Sequence, residues 1–540
     1  MAFYDNFRLL MIRTMVLAFF LSHCASEKGP NYSFMHEATT APLVSFYDYI
    51  VVGGGTAGIP LATTLSEKFN VLLLERGGSP YGNPNITTIE GFAAPLADLS
   101  PSSPSQRFIS EDGVINSRGR VLGGGTSINS GFYSRAPVSY VEEVGWDGKL
   151  VNESYQWIEE KIIHTPVLRQ WQAGFMAGLL EVGVLPFNNV TNDHVVGTKI
   201  GGTLFDSNGT RHTSADILEY ANPKRLTVLL NANVERILFA TKGKSKPATR
   251  GVLFRDSEGN LHRAYLKSRK SEVIIMAGAL GSPQILLLSG IGPEQHLKSL
   301  NISVVLNQPN VGQDMKDNPM NLVFLESPFP VEASLVGVVG VTRSGSYIEA
   351  TIGTQLNDLF ARITDDQRSR RGVFMEKFDG PASTGHLELR NTDPTDNPLV
   401  TFNYFQDPDD LRRCVVGMGE TIEVIESRAF SRFRLPNLTV TDLLNNVQNT
   451  PLNFVPNRSN NYTSLDQFCR DNVLSIFHYH GGCRVGRVVD EDYKVIGVKS
   501  LRVVDGSTFN GSPGTNPQAT LLMLGRYMGV MIQRERTGNH

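Results

Sequence analysis

A glycine-rich turn between an apolar strand and a helix constrains the fold more than any other feature of the sequence. Tyr47–Val52 is β-branched and aromatic, and the glycines that follow it, Gly53, Gly55 and Gly58, form the pattern G-x-G-x-x-G. The first glycine permits a tight turn, the second lets the backbone approach a pyrophosphate, and the third lets helix and strand pack closely. The helix N-terminus offers N–H groups and a positive dipole end to the phosphates. The pattern therefore predicts a dinucleotide-binding βαβ unit.

A second apolar strand follows this helix and ends in a carboxylate. Apolar residues recur at helical spacing from Gly58 to Lys68, and the next buried strand, Val71–Leu74, runs into Glu75. A carboxylate at this spacing accepts hydrogen bonds from ribose hydroxyls, which makes the pattern more specific than an ordinary glycine turn. The segment Glu75-Arg76-Gly77 disfavours the 2′-phosphate of NADP, whereas NAD and FAD both remain compatible.

The rest of the chain divides into two kinds of sequence. Short strands are predicted at Leu226–Leu230, Arg236–Phe239 and Glu272–Met276, and the last leads through a glycine turn into a helix over Pro283–Leu288. Residues 317–468 are richer in Pro, Asn and Asp and lack glycine fingerprints, which indicates a separate lobe. The C-terminal part returns to strand, glycine turn and helix, so the first domain takes chain from both ends of the sequence.

Bulk properties exclude some classes of partner. At 540 residues and 41% hydrophobic content the chain can form two or three lobes of roughly 150 residues each. The net charge of −3 and the lack of a Lys/Arg-rich run argue against a nucleic-acid partner.

The first residues are typical of a signal peptide. Arg8 and Arg13 precede the apolar run Thr14–Leu21, and the small residues around Cys24 and Ala25 suit cleavage. A membrane anchor is the alternative, but the run is shorter than the roughly 20 residues that span a bilayer. We therefore predict a signal peptide over residues 1–25, no stable membrane span, and a secreted, extracellular protein of the cell wall or secretory pathway.

Sequons and cysteines fit an exported chain. N-glycosylation is expected at some of the Asn-x-Ser/Thr sequons, with Asn510 the least favoured because it lies in a segment assigned to the site below. Without Cys24 three cysteines remain, which predicts one bridge and one free thiol. We expect Cys414 to pair with Cys469, because Cys483 lies in a glycine-rich segment, although spacing alone leaves the other pairings open. The sequons are at Asn31, Asn85, Asn152, Asn189, Asn208, Asn301, Asn437, Asn457, Asn461 and Asn510.

Two longer segments resemble the signatures of the glucose-methanol-choline (GMC) flavoenzymes. Gly119–Phe132 reads G-R-V-L-G-G-G-T-S-I-N-S-G-F, and Gly278–Gly292 reads G-A-L-G-S-P-Q-I-L-L-L-S-G-I-G. The resemblance extends from about Tyr47 to Arg534 and is closest to the plant HOTHEAD-like group, with the mandelonitrile lyase-like proteins next. It implies an α/β protein, α+β overall, with an FAD-binding Rossmann-like domain on a parallel sheet and a substrate domain on an antiparallel sheet with helices. The implied FAD-binding domain is discontinuous and comprises residues 46–140, 195–316 and 465–535, and the substrate domain comprises 141–194 and 317–464.

The resemblance also implies the cofactor and its contacts. Some relatives attach FAD covalently through a histidine just before the signature Asn129, but Ile128 stands there in this chain, so non-covalent FAD is expected. Val121 and the segment from Asn129 to Phe132 would line the flavin, the backbone of Val234 would meet the adenine, and Asp505-Gly506 would form a second pyrophosphate contact. The full predicted cofactor set is Gly53, Gly55, Thr56, Ala57, Gly58, Glu75, Arg76, Val121, Thr126, Asn129, Ser130, Gly131, Phe132, Val234, Phe477, His478, Asp505, Gly506, Asn516, Pro517 and Gln518.

The segment Phe477–Cys483, F-H-Y-H-G-G-C, resembles the family's catalytic segment, with His478 as the base and Asn516 in the second catalytic position. Removing a hydroxyl proton while hydride leaves the same carbon requires a base that titrates near neutrality, as histidine does. If the segment is extended, His478 and His480 share a face, and a structural histidine pair or a metal site with Cys483 are the alternatives. No metal is predicted, because no carboxylate accompanies these residues at ligand spacing.

The resulting prediction is a monomeric enzyme that oxidises a small-molecule alcohol and passes electrons to oxygen or another acceptor. The HOTHEAD-like resemblance implies a long-chain ω-hydroxy fatty acid as substrate. A hydroxynitrile lyase is the principal alternative, although those lyases have histidine where Asn516 stands and a Tyr-Trp pair in place of Ile476 and Phe477. A flavin-binding protein without turnover is the third reading, since the pocket-roofing region from Tyr347 to Gly372 is shorter than in those relatives.

Overall fold

The structure is a computed structural model that describes residues 29–241, 243, 245–332, 334–352, 370–448, 453–456, 464–514 and 516–538. The predicted signal peptide, Cys24 and the sequons at Asn457 and Asn461 lie outside these residues, as does most of the region from Tyr347 to Gly372. Among the described residues, no helix is both long and apolar enough to cross a membrane.

The described residues form 26 strands and 12 α-helices, with long runs of consecutive strands between residues 226 and 275 and between residues 306 and 401. The strands are β1 (Met35–Glu37), β2 (Val44–Tyr47), β3 (Tyr49–Val52), β4 (Val71–Leu74), β5 (Ser105–Ile109), β6 (Ile115–Gly119), β7 (Phe132–Tyr133), β8 (Phe187–Val190), β9 (Gly197–Ile200), β10 (Gly202–Thr203), β11 (Leu226–Leu230), β12 (Asn233–Ala240), β13 (Ala248–Arg255), β14 (Leu261–Leu266), β15 (Glu272–Ile275), β16 (Ile291–Gly292), β17 (Leu306–Asn307), β18 (Gln313–Met315), β19 (Pro319–Glu326), β20 (Val338–Val341), β21 (Ser346–Ile352), β22 (Arg371–Phe378), β23 (Gly385–Glu388), β24 (Leu399–Thr401), β25 (Leu474–Ser475) and β26 (Leu501–Val503). The α-helices are α1 (Gly58–Ser66), α2 (Pro84–Thr87), α3 (Ala94–Ala97), α4 (Val138–Val144), α5 (Gly148–Ile162), α6 (Gln170–Glu181), α7 (Gly278–Leu288), α8 (Glu294–Ser299), α9 (Pro408–Glu426), α10 (Val440–Gln448), α11 (Leu465–Asp471) and α12 (Gln518–Thr537).

A parallel sheet of six strands in the order β1-β11-β4-β3-β15-β26 forms the first domain. Its central strands β3, β4 and β15 are buried almost throughout, as expected of a parallel sheet covered on both faces. The predicted strand Tyr47–Val52 is divided in the structure, because β2 leaves to pair with β14 in a separate four-stranded sheet while β3 enters the parallel one. Between them, the side chain of Asp48 accepts a hydrogen bond from the Asn70 amide, 3.1 Å away.

The two predicted helices of this domain differ from expectation at their ends. Helix α1 ends at Ser66, two residues before the predicted Lys68, where the chain turns toward β4. Helix α7 begins at Gly278, five residues before the predicted Pro283, so the glycine turn forms its first turn. Pro283 therefore lies inside this helix, as its sixth residue, where it has no N–H to donate to the carbonyl four residues earlier.

The second lobe is built on a seven-stranded, mainly antiparallel sheet in the order β25-β19-β22-β21-β20-β9-β8. Helices α6 and α9 pack on one face of this sheet, where Trp171, Phe374 and Phe430 form an aromatic cluster with centroids 4.9–5.8 Å apart. The fold class predicted from the sequence, a Rossmann-like domain joined to a lobe on an antiparallel sheet, is confirmed.

Some segments pack across the predicted domain limits. Helix α5, assigned to the substrate domain, packs on the C-terminal helix α12 in the core of the first domain. Strands β9 and β25, assigned to the FAD-binding domain, join the antiparallel sheet instead. The division between the two domains therefore stays a prediction at these segments.

The expected disulfide is present and joins two helices of the second lobe. Cys414 of α9 is bonded to Cys469 of α11, with their Cα atoms 6.3 Å apart, and Cys483 is a buried free thiol. Burial raises the pKa of the Cys483 thiol well above its ordinary value, so this cysteine is unreactive in the folded protein.

Removing the bridge tests this pairing. Replacing both Cys414 and Cys469 by alanine is expected to lower the free energy of unfolding by about 4 kcal/mol, because the bridge closes a loop of 55 residues in the unfolded chain. Denaturant unfolding of the purified, oxidised protein measures the change, with Cys483→Ala as the unbridged control. An equal or larger loss in the control would contradict the pairing.

Candidate active site

The first turn of the βαβ unit is held by close backbone contact. Gly53 has a φ of +112°, and its amide donates to the Leu74 carbonyl at 2.8 Å, which ties the turn to β4. A Cβ atom at Gly58 would lie only 2.0 Å from the carbonyl oxygen of Gly53. These two glycines therefore let α1 start directly against the end of β3, with its N-terminus toward the pocket.

Glu75 closes the same turn from the end of β4. One carboxylate oxygen accepts from the Gly54 amide at 2.9 Å and the other from the Gly77 amide at 2.8 Å. Burial raises the pKa of Glu75, while these two amides and the Arg76 guanidinium oppose that shift. A carboxylate oxygen accepts more than one hydrogen bond, so Glu75 retains capacity for ribose hydroxyls.

A pocket of about 360 Å³ opens above this turn, a size typical of ligand sites. All of the predicted cofactor residues line it except Gly58, Thr126 and Gly131. Those three support the turns beneath: the Thr126 hydroxyl donates to Gly123 O at 2.7 Å, and the Gly131 amide donates to Asn129 Oδ1 at 2.9 Å.

Two glycines that line the pocket leave space beside the backbone for a dinucleotide. A Cβ atom at Gly55 would find only the Cα of Gly124, at 3.8 Å, and one at Gly278 would find no protein atom within 4 Å. Both positions line the pocket, so the space beside them is ligand space that a side chain would fill. The residues present therefore fit a cofactor whose phosphates approach the backbone.

The two chain ends meet in this pocket through side-chain hydrogen bonds. Asp505 accepts from the Gly278 amide at 2.9 Å and from the Ser507 amide at 2.8 Å, so its carboxylate secures the start of α7 while the backbone of Gly506 faces the pocket. Gln518, at the start of α12, accepts from Asn129 Nδ2 and donates to Phe132 O at 3.1 Å. Gln518 therefore holds the first signature segment in place.

His478 lies on the pocket wall and is held at its backbone by the second lobe. Its amide donates to Asp317 Oδ1 at 3.1 Å, and its ring Nδ1 lies 3.4 Å from Asn318 Nδ2. Burial lowers the pKa of His478 well below its ordinary value, and the charges of Lys377 and His480 lower it further. The imidazole is therefore neutral at physiological pH, which is the protonation state of a base.

His480 does not share a pocket face with His478. Phe477 has a φ of +62°, so the segment is not a regular strand, and His480 exchanges two backbone hydrogen bonds with Lys316 instead. Its ring Nδ1 lies 3.0 Å from the carbonyl oxygen of His478, and the residue is 2% exposed. Throughout the part of the chain that the structure describes, no group of His, Cys, Asp and Glu side chains is arranged to hold a metal ion.

Asn516 lines the same pocket and contacts a charged pair that the sequence did not reveal. Its Oδ1 lies 3.2 Å from Lys377 Nζ, and that ammonium lies 2.8 Å from Glu349 Oε1. The buried Asp317, whose pKa burial raises to about 7, was also missed. None of these residues belongs to a glycine-rich motif. The alternation of side chains along a strand would have placed them on one face of a sheet, but it would not have shown that this face lines the pocket.

The second lobe also contributes a part of the apolar pocket wall. The pocket is faced by side chains of β19, β21 and β22 and of the connection before β20. Residues next to the glycine-rich signatures and next to His478 also face it. The pocket residues absent from the sequence-based set include Arg118, Met320, Leu335, Val336, Glu349, Thr351, Met375, Ile476 and Tyr479.

The fold and the site define a two-lobed, dinucleotide-dependent enzyme with a buried histidine at the junction of the lobes. The chain belongs to the GMC oxidoreductase family, whose N-terminal and C-terminal domains match residues 47–320 and 381–525. This confirms the family predicted from the two signatures and, with it, FAD as the cofactor.

Among curated proteins, the chain is similar to plant members of this family. It is 50% identical to the protein HOTHEAD of Arabidopsis thaliana, with 92% of this chain and 89% of the relative covered. It is also 50% identical to an (R)-mandelonitrile lyase-like protein of the same plant, with 93% and 92% covered. Identity to the sinalpyl alcohol oxidase Nec3 of Nesocodon mauritianus is 44%, with 94% and 92% covered.

Solved structures share the fold at low sequence identity. A formate oxidase structure aligns with a TM-score of 0.76 at 20% identity, covering 93% of this chain and all of that one. Pyridoxine 4-oxidase from Mesorbium loti aligns with a TM-score of 0.74 at 20% identity, covering 90% and 98%.

Substitutions at two glycines separate cofactor space from packing space. Gly55→Ala is expected to fold normally but to lose bound FAD, because its Cβ would occupy only the pocket. Gly58→Ala is expected to destabilise the whole domain, because its Cβ would collide with Gly53 O. The ratio of flavin to protein absorbance and the thermal midpoint measure the two effects. Full flavin content in a folded Gly55→Ala variant would place the cofactor elsewhere.

Proposed function

We propose that this chain is a secreted, FAD-dependent oxidoreductase that oxidises an alcohol, with His478 as the catalytic base. The observation that carries the proposal is a buried imidazole, with a lowered pKa, that lines the same pocket as the Asn516 amide and the glycine turn of the dinucleotide site. FAD, when bound, supplies a two-electron acceptor for the hydride of the alcohol carbon. The contacts predicted for the remaining cofactor residues, and the absence of a covalent link at Ile128, belong to this proposal.

His478 would take the hydroxyl proton at Nε2, the ring nitrogen that does not face Asn318. A neutral imidazole accepts at Nε2 only when its proton is on Nδ1, and that proton then requires an acceptor. The Asn318 carboxamide provides one when it presents its oxygen, by a half turn of its amide group. In the structure Asn318 Nδ2 faces both His478 Nδ1 and Ser512 Oγ, so only the turned amide would set this tautomer, whereas Asp317 holds the His478 backbone in place.

Asn516 would act on the substrate oxygen. Its amide donates a hydrogen bond but does not exchange a proton, so it stabilises negative charge on that oxygen while His478 accepts the proton. The apolar side chains Met320, Val336 and Met375 line the same pocket. An alcohol with an apolar body fits such a wall.

The substrate class is supported by relatives rather than by the pocket alone. The HOTHEAD likeness supports a long-chain ω-hydroxy fatty acid, and the alcohol oxidase among the relatives supports an aromatic alcohol. The likeness to (R)-mandelonitrile lyases favours a second function, cleavage of a cyanohydrin without net redox change. Asn516 in place of their histidine argues against that lyase activity.

The proposal also includes export through the N-terminal segment, glycosylation, a monomeric state and reoxidation of the flavin by oxygen or another acceptor.

Anaerobic flavin reduction tests the proposed reaction. Benzyl alcohol, cinnamyl alcohol and an ω-hydroxy fatty acid would be mixed with the purified protein while the flavin absorbance is followed. His478→Ala is expected to slow reduction by about 10²–10⁴-fold and to keep FAD bound, because only the proton acceptor is removed. The exposed His36→Ala serves as the matched control. Cyanide release from mandelonitrile without bleaching would favour the lyase, and loss of FAD in His478→Ala would make the histidine structural.

The pH profile of kcat/KM tests the state of His478. A base works in its deprotonated form, so activity is lost as the pH falls through its pKa. Because burial, Lys377 and His480 lower that pKa, we expect a constant kcat/KM between about pH 6.5 and 8 and an acidic limb below that range. An acidic limb centred above pH 7 would show that His478 is not the group that titrates.

A further inference from the structure

A charged pair is buried in the sheet that faces the pocket. Lys377 of β22 and Glu349 of β21 lie diagonally across neighbouring strands, since Lys377 is opposite Tyr347 and Glu349 is opposite Met375. Their side chains are 0% and 2% exposed, and Nζ lies 2.8 Å from Oε1. A buried ion pair stabilises a fold little more than apolar residues of the same size, so its contacts are of interest beyond stability.

Lys377 has a further contact that determines the orientation of an amide. Its Nζ lies 3.2 Å from Asn516 Oδ1 and 5.1 Å from the centre of the Tyr347 ring. An ammonium group only donates hydrogen bonds, so the Asn516 atom beside it must be the carbonyl oxygen. The NH2 group of Asn516 then lies on the other side of the carboxamide.

The pair is arranged so that only one partner reaches the pocket. Glu349 and Asn516 both line it, whereas Lys377 is fully buried between them. Glu349 holds the ammonium from one side, and Asn516 receives its hydrogen bond from the other. A charge-assisted hydrogen bond of this kind holds an amide more firmly than a neutral one would.

We propose that Lys377, held by Glu349, is a positioning residue that turns the Asn516 oxygen toward the sheet and its NH2 group toward the oxygen of the bound substrate. The proposal rests on the proposed function, in which that NH2 group stabilises charge on the substrate oxygen. It assigns a role in alcohol oxidation to two residues of the second lobe that lie outside every glycine-rich motif.

A double-mutant cycle tests whether the pair acts through Asn516. Glu349→Gln combined with Lys377→Met removes both charges at similar volume, which avoids an unpaired buried carboxylate. With the alcohol that reduces the flavin fastest, kcat is expected to fall about tenfold with KM within about twofold. Asn516→Ala is expected to lower kcat about 100-fold, and adding the pair substitution to it should cause no further loss. Independent, multiplying losses would overturn the proposal.

A crystallographic comparison tests the same point without turnover. In the wild-type crystal structure Asn516 is expected in one orientation with Oδ1 on Lys377, and in the pair variant a rotated or divided side chain is expected. An Asn516 that is unchanged in the variant, or that does not meet Lys377 in the wild type, would overturn the proposal. This result stands even if no alcohol reduces the flavin, so failure of the proposed function is distinguished from failure of the positioning role.

Lys199→Met provides the matched control. Lys199 is also a fully buried lysine of the same sheet, but its Nζ contacts Ser134 Oγ at 2.7 Å and the Asp193 carbonyl at 2.5 Å. Its loss is expected to lower the thermal midpoint while leaving kcat within about twofold and Asn516 in place. If Lys199→Met lowered kcat as much as the pair variant, general destabilisation would explain both effects and the proposal would fail.

Discussion

The carboxylate of Glu75 is the interaction on which the dinucleotide site depends. By accepting from the amides of Gly54 and Gly77, it ties the turn after β3 to the end of β4. Helix α1 starts in direct contact with this turn, since no side chain fits between Gly58 and Gly53 O. The flavin-side turn then packs against it, with Gly124 beside Gly55. Any shift of the carboxylate would therefore move both walls of the pocket.

The proposed active site lies where three distant parts of the chain meet. The C-terminal segment contributes His478 and Asn516, and Asp505 and Gln518 fasten that segment to the first domain. The second lobe supplies the backbone anchor of His478 and the charged partner of Asn516 through a sheet face that is otherwise apolar. The proposed base, the proposed hydrogen-bond donor to the substrate oxygen and the cofactor site are thus positioned by different elements, so the proposed reaction depends on how the two lobes pack.

The local sequence pattern could predict the glycine turns, because each of these glycines is required by the backbone at its own position, either for a positive φ or for the close approach of another group. The assignment of His478 as a base also came from the residue type and its neighbours, and it stays a prediction. The local pattern could not predict the position of His480, because this residue is buried through backbone hydrogen bonds to Lys316, which is far away in the chain. Nor could it predict that β2 leaves β3 at Asp48, because the pairing partners of the two strands are far away in the chain.

By itself, the sequence determined the dinucleotide-binding unit, the family, the cofactor and the pair of side chains proposed for catalysis, because these depend on residue types at short spacing. Only the tertiary structure decided which charges surround that pair. Lys377 and Glu349 lie 139 and 167 residues from Asn516, and they meet it because β21 and β22 cross beneath the C-terminal segment. The physical reason is that a pKa or an amide orientation depends on what is buried within a few ångströms, and that neighbourhood is set by packing rather than by order along the chain.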